Sequence, residues 1–179
     1  MIGDLRCRNG KSLYLALVSP PMVAIIYETQ GGSSERYAKW LAERLGLACI
    51  PRKELKDDID ERIIYVGWRS GPMVVGLKDL PDRKNVIAVI CVGLEQYDEK
   101  AMETIRKKNS VDELFYVRGA MDRGSLRFGQ KLLLAAVSVK MLLFDRSPED
   151  RKVRRVMDHG GDLSSPEQLD AFVEWYSSS

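Results

Sequence analysis

Four uninterrupted apolar runs of strand length constrain this chain more than any other feature. They cover residues 23–27, 63–66, 86–92 and 114–117, and none alternates apolar with polar positions. A strand with one wet face reads with period two, so these strands are expected to be buried on both faces. Residues 48–50 form a shorter strand, closed by Pro51. Helical spacing fills the gaps. Tyr37, Ala38, Leu41, Ala42 and Leu45 share one face of a helix over 34–45, and Gly46 suits its stop. Ala101, Met102 and Ile105 line a second helix near 98–108. A long apolar helix is predicted over about 128–144, and a last one from Pro166. There Ser165 is the N-cap, and Gln168 completes a capping box. Strands buried on both sides and separated by helices predict an α/β chain with a doubly wound parallel sheet.

In the strand order 2-1-3-4-5, a ligand sits at the carboxyl ends of the strands, where the order reverses between strands one and three. The loops there are 29–34 and 67–72. The first reads Thr29-Gln30-Gly31-Gly32-Ser33-Ser34, a hydroxyl- and glycine-rich turn between a strand and a helix N-terminus. Outward backbone N–H groups and the helix dipole suit such a turn to an anion. It is neither G-x-x-x-x-G-K-[ST] nor G-x-G-x-x-G, so a monophosphate fits better than a nucleoside triphosphate or a dinucleotide. The competing reading is a plain strand–helix turn with Ser33 or Ser34 as N-cap.

Composition removes other classes. The 179 residues suit one domain, read as 22–179 after an extension at 1–21. That extension imitates a signal peptide weakly: Arg6, Arg8 and Lys11 precede a short apolar run, but Ser19-Pro20-Pro21 is no A-x-A-like cleavage site. A peripheral extension, or sequence upstream of a start at Met22, describes it better. Net charge is +2, which gives no global pull toward nucleic acid. Cys7, Cys49 and Cys91 are odd in number and far apart, so a disulfide framework and a cysteine zinc site are both disfavoured. A reducing, cytoplasmic setting follows. His159 is the only histidine, which excludes a multi-histidine metal site. No stretch has the roughly 18 unbroken apolar residues of a membrane span.

The turn resembles the FMN-phosphate loop of the flavodoxin family, whose pattern is [TS]-x-T-G-x-[TS]. Thr29, Gly32 and Ser34 match, while Gly31 stands where the family usually has threonine. Gly67-x-x-x-Gly71 after strand three, Arg118-Gly119-Ala120 after strand five and the long apolar helix that follows add to the likeness. The chain is most similar to the flavodoxin-like subgroup that includes menaquinone-dependent protoporphyrinogen oxidases. The resemblance implies a flavodoxin-like five-stranded sheet in the order 2-1-3-4-5 and FMN as cofactor. It also implies an isoalloxazine between Gly67-Trp68-Arg69-Ser70-Gly71 and the loop from Gly93 to Tyr97. Trp68 and Tyr97 are candidates to flank the ring. Arg69 would stabilise the anion of reduced flavin and favour two-electron chemistry.

A redox partner or a quinone is the partner the resemblance implies. The long apolar helix could then offer a peripheral membrane contact as well as core. The basic residues Arg146, Arg151, Lys152, Arg154 and Arg155 read as a solvated face or an anionic docking site. A sequence pI near 8.4 sets the chain apart from the acidic electron-carrier flavodoxins. Two functions stay open: an FMN-dependent oxidoreductase or electron-transfer protein, and a flavodoxin-fold binding module without flavin. A phosphorylated receiver domain of the same sheet order fails on residues. It needs an acidic pair by strand one and an aspartate after strand three, where this chain has Glu28 and Gly67.

Overall fold

Each of the four apolar runs, and the shorter segment at 48–50, becomes a strand of one parallel sheet. They are β1 (Val23–Glu28), β2 (Ala48–Pro51), β3 (Arg62–Ser70), β5 (Val86–Gly93) and β6 (Leu114–Arg118), in the order β2-β1-β3-β5-β6. The computed structural model describes residues 23–55, 61–81, 83–121, 124, 135, 136, 139 and 148–179. The expected extension at 1–21, Arg146 and all but three residues of the expected helix at 128–144 lie outside these. β4 (Met73–Val74) pairs antiparallel with the end of β3. With β4 set aside, the parallel strands follow the expected 2-1-3-4-5 order.

The register carries the burial. Ile25 stands beside Ile64, Tyr65 beside Val89, and Ile90 beside Phe115. Because strand neighbours alternate faces, the sheet has two apolar sides. Ile25, Ile64, Val66, Ile90, Val92 and Val117 pack with Tyr37, Ala38 and Leu41 of α1 (Ser33–Leu45) and with Leu169 and Phe172. Ile26, Ile63, Tyr65, Val89, Cys91 and Leu114 pack with Met102 and Ile105 of α2 (Glu99–Asn109). Helices therefore cover both faces, as strands with no wet side require.

The helix punctuation behaves as its residue types dictate. Gly46 ends α1 in the left-handed region at φ 65°. Asp98 caps α2 by accepting from the Ala101 N–H at 2.7 Å. Pro148–His159 (α3) buries Val153, Val156 and Met157 and exposes Arg151, Lys152 and Arg155. Asp170–Ser178 (α4) follows a single turn of tighter helix at Pro166–Leu169. No described helix is long and apolar enough to cross a membrane.

Two sequence expectations are corrected here. Residues 67–70 are not loop: β3 continues through them, turns at Gly71-Pro72 and returns as β4, with Arg69 opposite Val74 and Ser70 opposite Met73. Gly67 belongs to the strand because a Cβ there would lie 2.7 Å from both Tyr65 Cε1 and Val74 Cγ1. The glycine makes room for those side chains rather than breaking the strand. The Ser165–Gln168 capping box does not form either. The Ser165 hydroxyl pairs with the Glu167 carboxylate. The Gln168 side chain is drawn to the end of β6, accepting from the Arg118 N–H at 2.7 Å and donating to the Leu163 carbonyl at 2.9 Å.

Candidate functional site

The turn after β1 is built around one hydrogen bond. The Gly32 N–H donates to Thr29 Oγ1 at 3.0 Å. Thr29 accepts there, which leaves its own O–H as a donor. Gly32 is the N-cap of α1 at φ 84°, a conformation that favours glycine, and it brings no side-chain cap. The N-cap is therefore neither Ser33 nor Ser34. The first intrahelical bond runs from the Arg36 N–H to the Gly32 carbonyl at 3.0 Å. The N–H groups of Ser33, Ser34 and Glu35 precede it and have no intrahelical acceptor.

The two serines differ. The Ser33 hydroxyl accepts from the Ala120 N–H at 2.7 Å and donates to the Ala120 carbonyl at 3.3 Å. Its bonding is complete within the chain. Ser34 is 1% exposed. Its Oγ finds no hydrogen-bond partner among the described residues. A buried hydroxyl left unpaired costs about 1–3 kcal/mol, so Ser34 is the anomaly of this turn. Gln30 and Gly31 are exposed. Among the described residues, neither Gly31 nor Gly32 has an atom beyond its chain neighbours within 4 Å of where a Cβ would stand. The turn is open on the side of its glycines.

A strap crosses beside this turn. β7 (Ala120–Met121) pairs antiparallel with β8 (Gly161–Asp162). Gly119 brings β7 close, since a Cβ on it would lie 3.0 Å from Ser33 Cβ and 2.7 Å from Val92 Cγ1. Arg36 pairs with Asp162 and donates to Ser164 Oγ at 2.9 Å. Burial alone would raise the Asp162 carboxyl, but hydrogen bonds from Ser164 and Arg36 outweigh it and hold the group low. Tyr37 donates to the Arg118 carbonyl at 2.6 Å and accepts from the Ser165 N–H at 3.2 Å. Sequence reading singled out Arg118-Gly119-Ala120 but missed the partners at 162–168.

The second half of the site leaves β3 and β5. β1 and β3 are neighbours, with Glu28 opposite Gly67, so the turn and the β3–β4 hairpin rise side by side at the point of order reversal. Trp68 and Arg69 are consecutive in β3 and so lie on opposite faces. Half-buried Trp68 is on the α1 side, in register with Val92. Arg69 is on the α2 side, where its Nε donates to the Gly71 carbonyl at 2.8 Å and Nη1 meets Glu95 Oε2 at 2.6 Å. That pairing offsets the positive charge that the resemblance would set beside a flavin. Ser70 is exposed, and among the described residues nothing lies within 4 Å of where a Gly71 Cβ would stand, chain neighbours aside.

Gly93 has a different task from the open glycines. A Cβ on it would lie 2.4 Å from the Tyr116 hydroxyl and 2.7 Å from its ring. The ring covers Gly93, and its O–H donates to the Glu95 carbonyl at 2.8 Å. Burial pushes the Tyr116 phenol up and the Cys91 thiol up to about 12, so both stay protonated at neutral pH. Gly93→Ala is expected to displace Tyr116 and cost about 1–2 kcal/mol in a thermal or urea melt. An unchanged midpoint would mean that the ring moves freely. Tyr97 stands exposed beyond this, its ring centroid 6.5 Å from that of Tyr116 and its hydroxyl on Glu99.

Asn109 was not visible in the sequence as a site residue, yet it fixes the hairpin. Fully buried, it accepts from the Val74 N–H at 3.1 Å and donates to the Pro72 carbonyl at 2.9 Å and the Ile105 carbonyl at 2.8 Å. His159 is exposed at the end of α3. The cavity among Arg83, Val86, Ser110 and Glu113 lies at the amino end of β5, away from these loops. No family model and no curated protein sequence matches the chain.

The donor set fits a phosphate ester. The Thr29 hydroxyl, the buried Ser34 hydroxyl and three N–H groups without intrahelical acceptors surround an uncapped helix end. Open glycines allow an oxyanion to approach the backbone.

Proposed function

We propose that this chain is an FMN-binding, flavodoxin-like protein acting as an oxidoreductase or in electron transfer. The observation that carries this reading is the buried Ser34 hydroxyl, without a partner among the described residues, beside an α1 N-terminus whose N-cap glycine supplies no side chain. FMN, when bound, supplies one- and two-electron redox chemistry. The protein's part is binding and shielding. The Thr29 and Ser34 hydroxyls and the first N–H groups of α1 hold the phosphate. Trp68 on β3 and Tyr97 in the loop after β5 supply aromatic surface. Arg69, paired with Glu95, keeps that region close to neutral. The partner is a quinone or a redox protein, and the setting is the cytosol.

One observation favours a second reading, a flavodoxin-fold binding module without flavin. The Ser33 hydroxyl and the Arg69 guanidinium are already bonded within the chain. Titration separates the two. The purified protein is expected to be yellow, or to quench the fluorescence of added FMN with a micromolar midpoint. A colourless protein that leaves FMN fluorescence unchanged removes the flavin reading.

A further inference from the structure

Arg69 is paired in an unequal way. Its side chain is 19% exposed, while that of Glu95, its partner at 2.6 Å, is 62% exposed. Arg52 and Glu28, by contrast, meet at 2.5 Å with matched exposures of 30% and 26%. A guanidinium that deep needs an anion beside it. A mostly solvated carboxylate supplies that anion weakly, because water competes for it.

The rest of the arrangement keeps the cation in place if Glu95 leaves. Arg69 Nε is held by the Gly71 carbonyl, which orients the planar guanidinium on the hairpin tip. The loop that carries Glu95 is held through its backbone, by Tyr116 on the Glu95 carbonyl. The Glu95 side chain can therefore swing out without moving the loop. What remains is the Nη edge of a fixed guanidinium, beside the Tyr116 hydroxyl that also hydrogen-bonds Arg69, and such an edge pairs with a carboxylate. Exposed Tyr97 adds an aromatic surface on the same side, next to Tyr116.

We propose that Arg69 is a receptor for the carboxylate of a small molecule, and that the Glu95 side chain occupies it until such an acid arrives. The exchange is one carboxylate for another and makes no covalent bond. Binding stands on Arg69, Glu95 and the Tyr116 hydroxyl beside them, without any flavin. That the bound acid is the molecule oxidised or reduced here rests on the FMN reading.

Benzoate tests this in the FMN-free full-length protein, with the Arg69 Nε–H signal of 15N-labelled protein as the readout. Benzoate is expected to shift that signal saturably, and benzamide to leave it in place. Glu95→Gln is expected to tighten benzoate about three- to fivefold, because the internal competitor is gone. Arg69→Gln is expected to abolish benzoate binding, followed there through the Tyr97 and Tyr116 ring signals. The proposal is overturned if benzamide binds as well as benzoate, or if Glu95→Gln brings no gain. It is equally overturned if Arg69→Gln still binds, or if inorganic phosphate competes better than benzoate does. FMN quenching is measured separately, so losing the flavin reading leaves the benzoate result standing.

Discussion

Replacing Asn109 with alanine is expected to cost about 3 kcal/mol of stability, read as a lowered urea midpoint at constant slope. The side chain is fully buried and makes three hydrogen bonds at 2.8–3.1 Å. Two of them are the only tie described between α2 and the β3–β4 turn through side-chain polar atoms. Alanine leaves the Val74 N–H and the Pro72 carbonyl without the partners that Asn109 supplies. Unpaired buried groups are penalised more heavily than a lost bond alone. Aspartate is expected to be worse than alanine, since its carboxylate would face the Pro72 and Ile105 carbonyls and be buried without a cation. The same change loosens the turn that holds Gly71, and with it the Arg69 guanidinium. A loss below about 1 kcal/mol would show that water reaches these groups and satisfies them.

Asn109 also marks the limit of what the residues disclosed. The parallel sheet was legible because the runs at 23–27, 63–66 and 86–92 have no wet side, and only helices on both faces can cover such strands. The turn after β1 was legible because its residue types act locally: Thr29 bonds Gly32 three residues on, and Gly32 takes a positive φ. The β3–β4 hairpin was not legible. Gly67 and Gly71-Pro72 carry the composition of a loop, and what makes Gly67 a strand residue is the volume of Tyr65 and Val74 around it. Volume of that kind depends on partners that sequence spacing does not reveal. The C-terminal strap failed for the same reason. Gln168 has the spacing of a capping box, yet its side-chain oxygen accepts from the Arg118 N–H at the end of β6 instead. Long-range polar pairs such as Arg36–Asp162 and Tyr37–Ser165 join residues more than a hundred positions apart. Their members look like ordinary surface residues until the fold brings them together.

Ser34→Ala and Gly31→Thr are expected to move flavin affinity in opposite directions. The Ser34 hydroxyl is buried without a described partner, so its removal relieves a desolvation cost, and alanine is also the better helix former. Ser34→Ala is thus expected to stabilise the FMN-free protein by about 1 kcal/mol while weakening FMN about tenfold, the loss of one hydrogen bond to a charged group. A serine kept only for packing predicts the reverse: reduced stability and unchanged affinity. Gly31 tests the site from the other side. Among the described residues no atom beyond its chain neighbours lies within 4 Å of its missing Cβ, and its φ is not in the left-handed region, so threonine fits without strain. Its hydroxyl adds a donor at this position, and under the proposed FMN reading FMN is expected to tighten about tenfold. Melting curves with and without FMN measure both effects, because a ligand that binds only the folded state raises stability with its own affinity. If Gly31→Thr leaves the FMN-dependent shift unchanged while Ser34→Ala destabilises the free protein, the turn is a structural strand–helix junction and holds no phosphate.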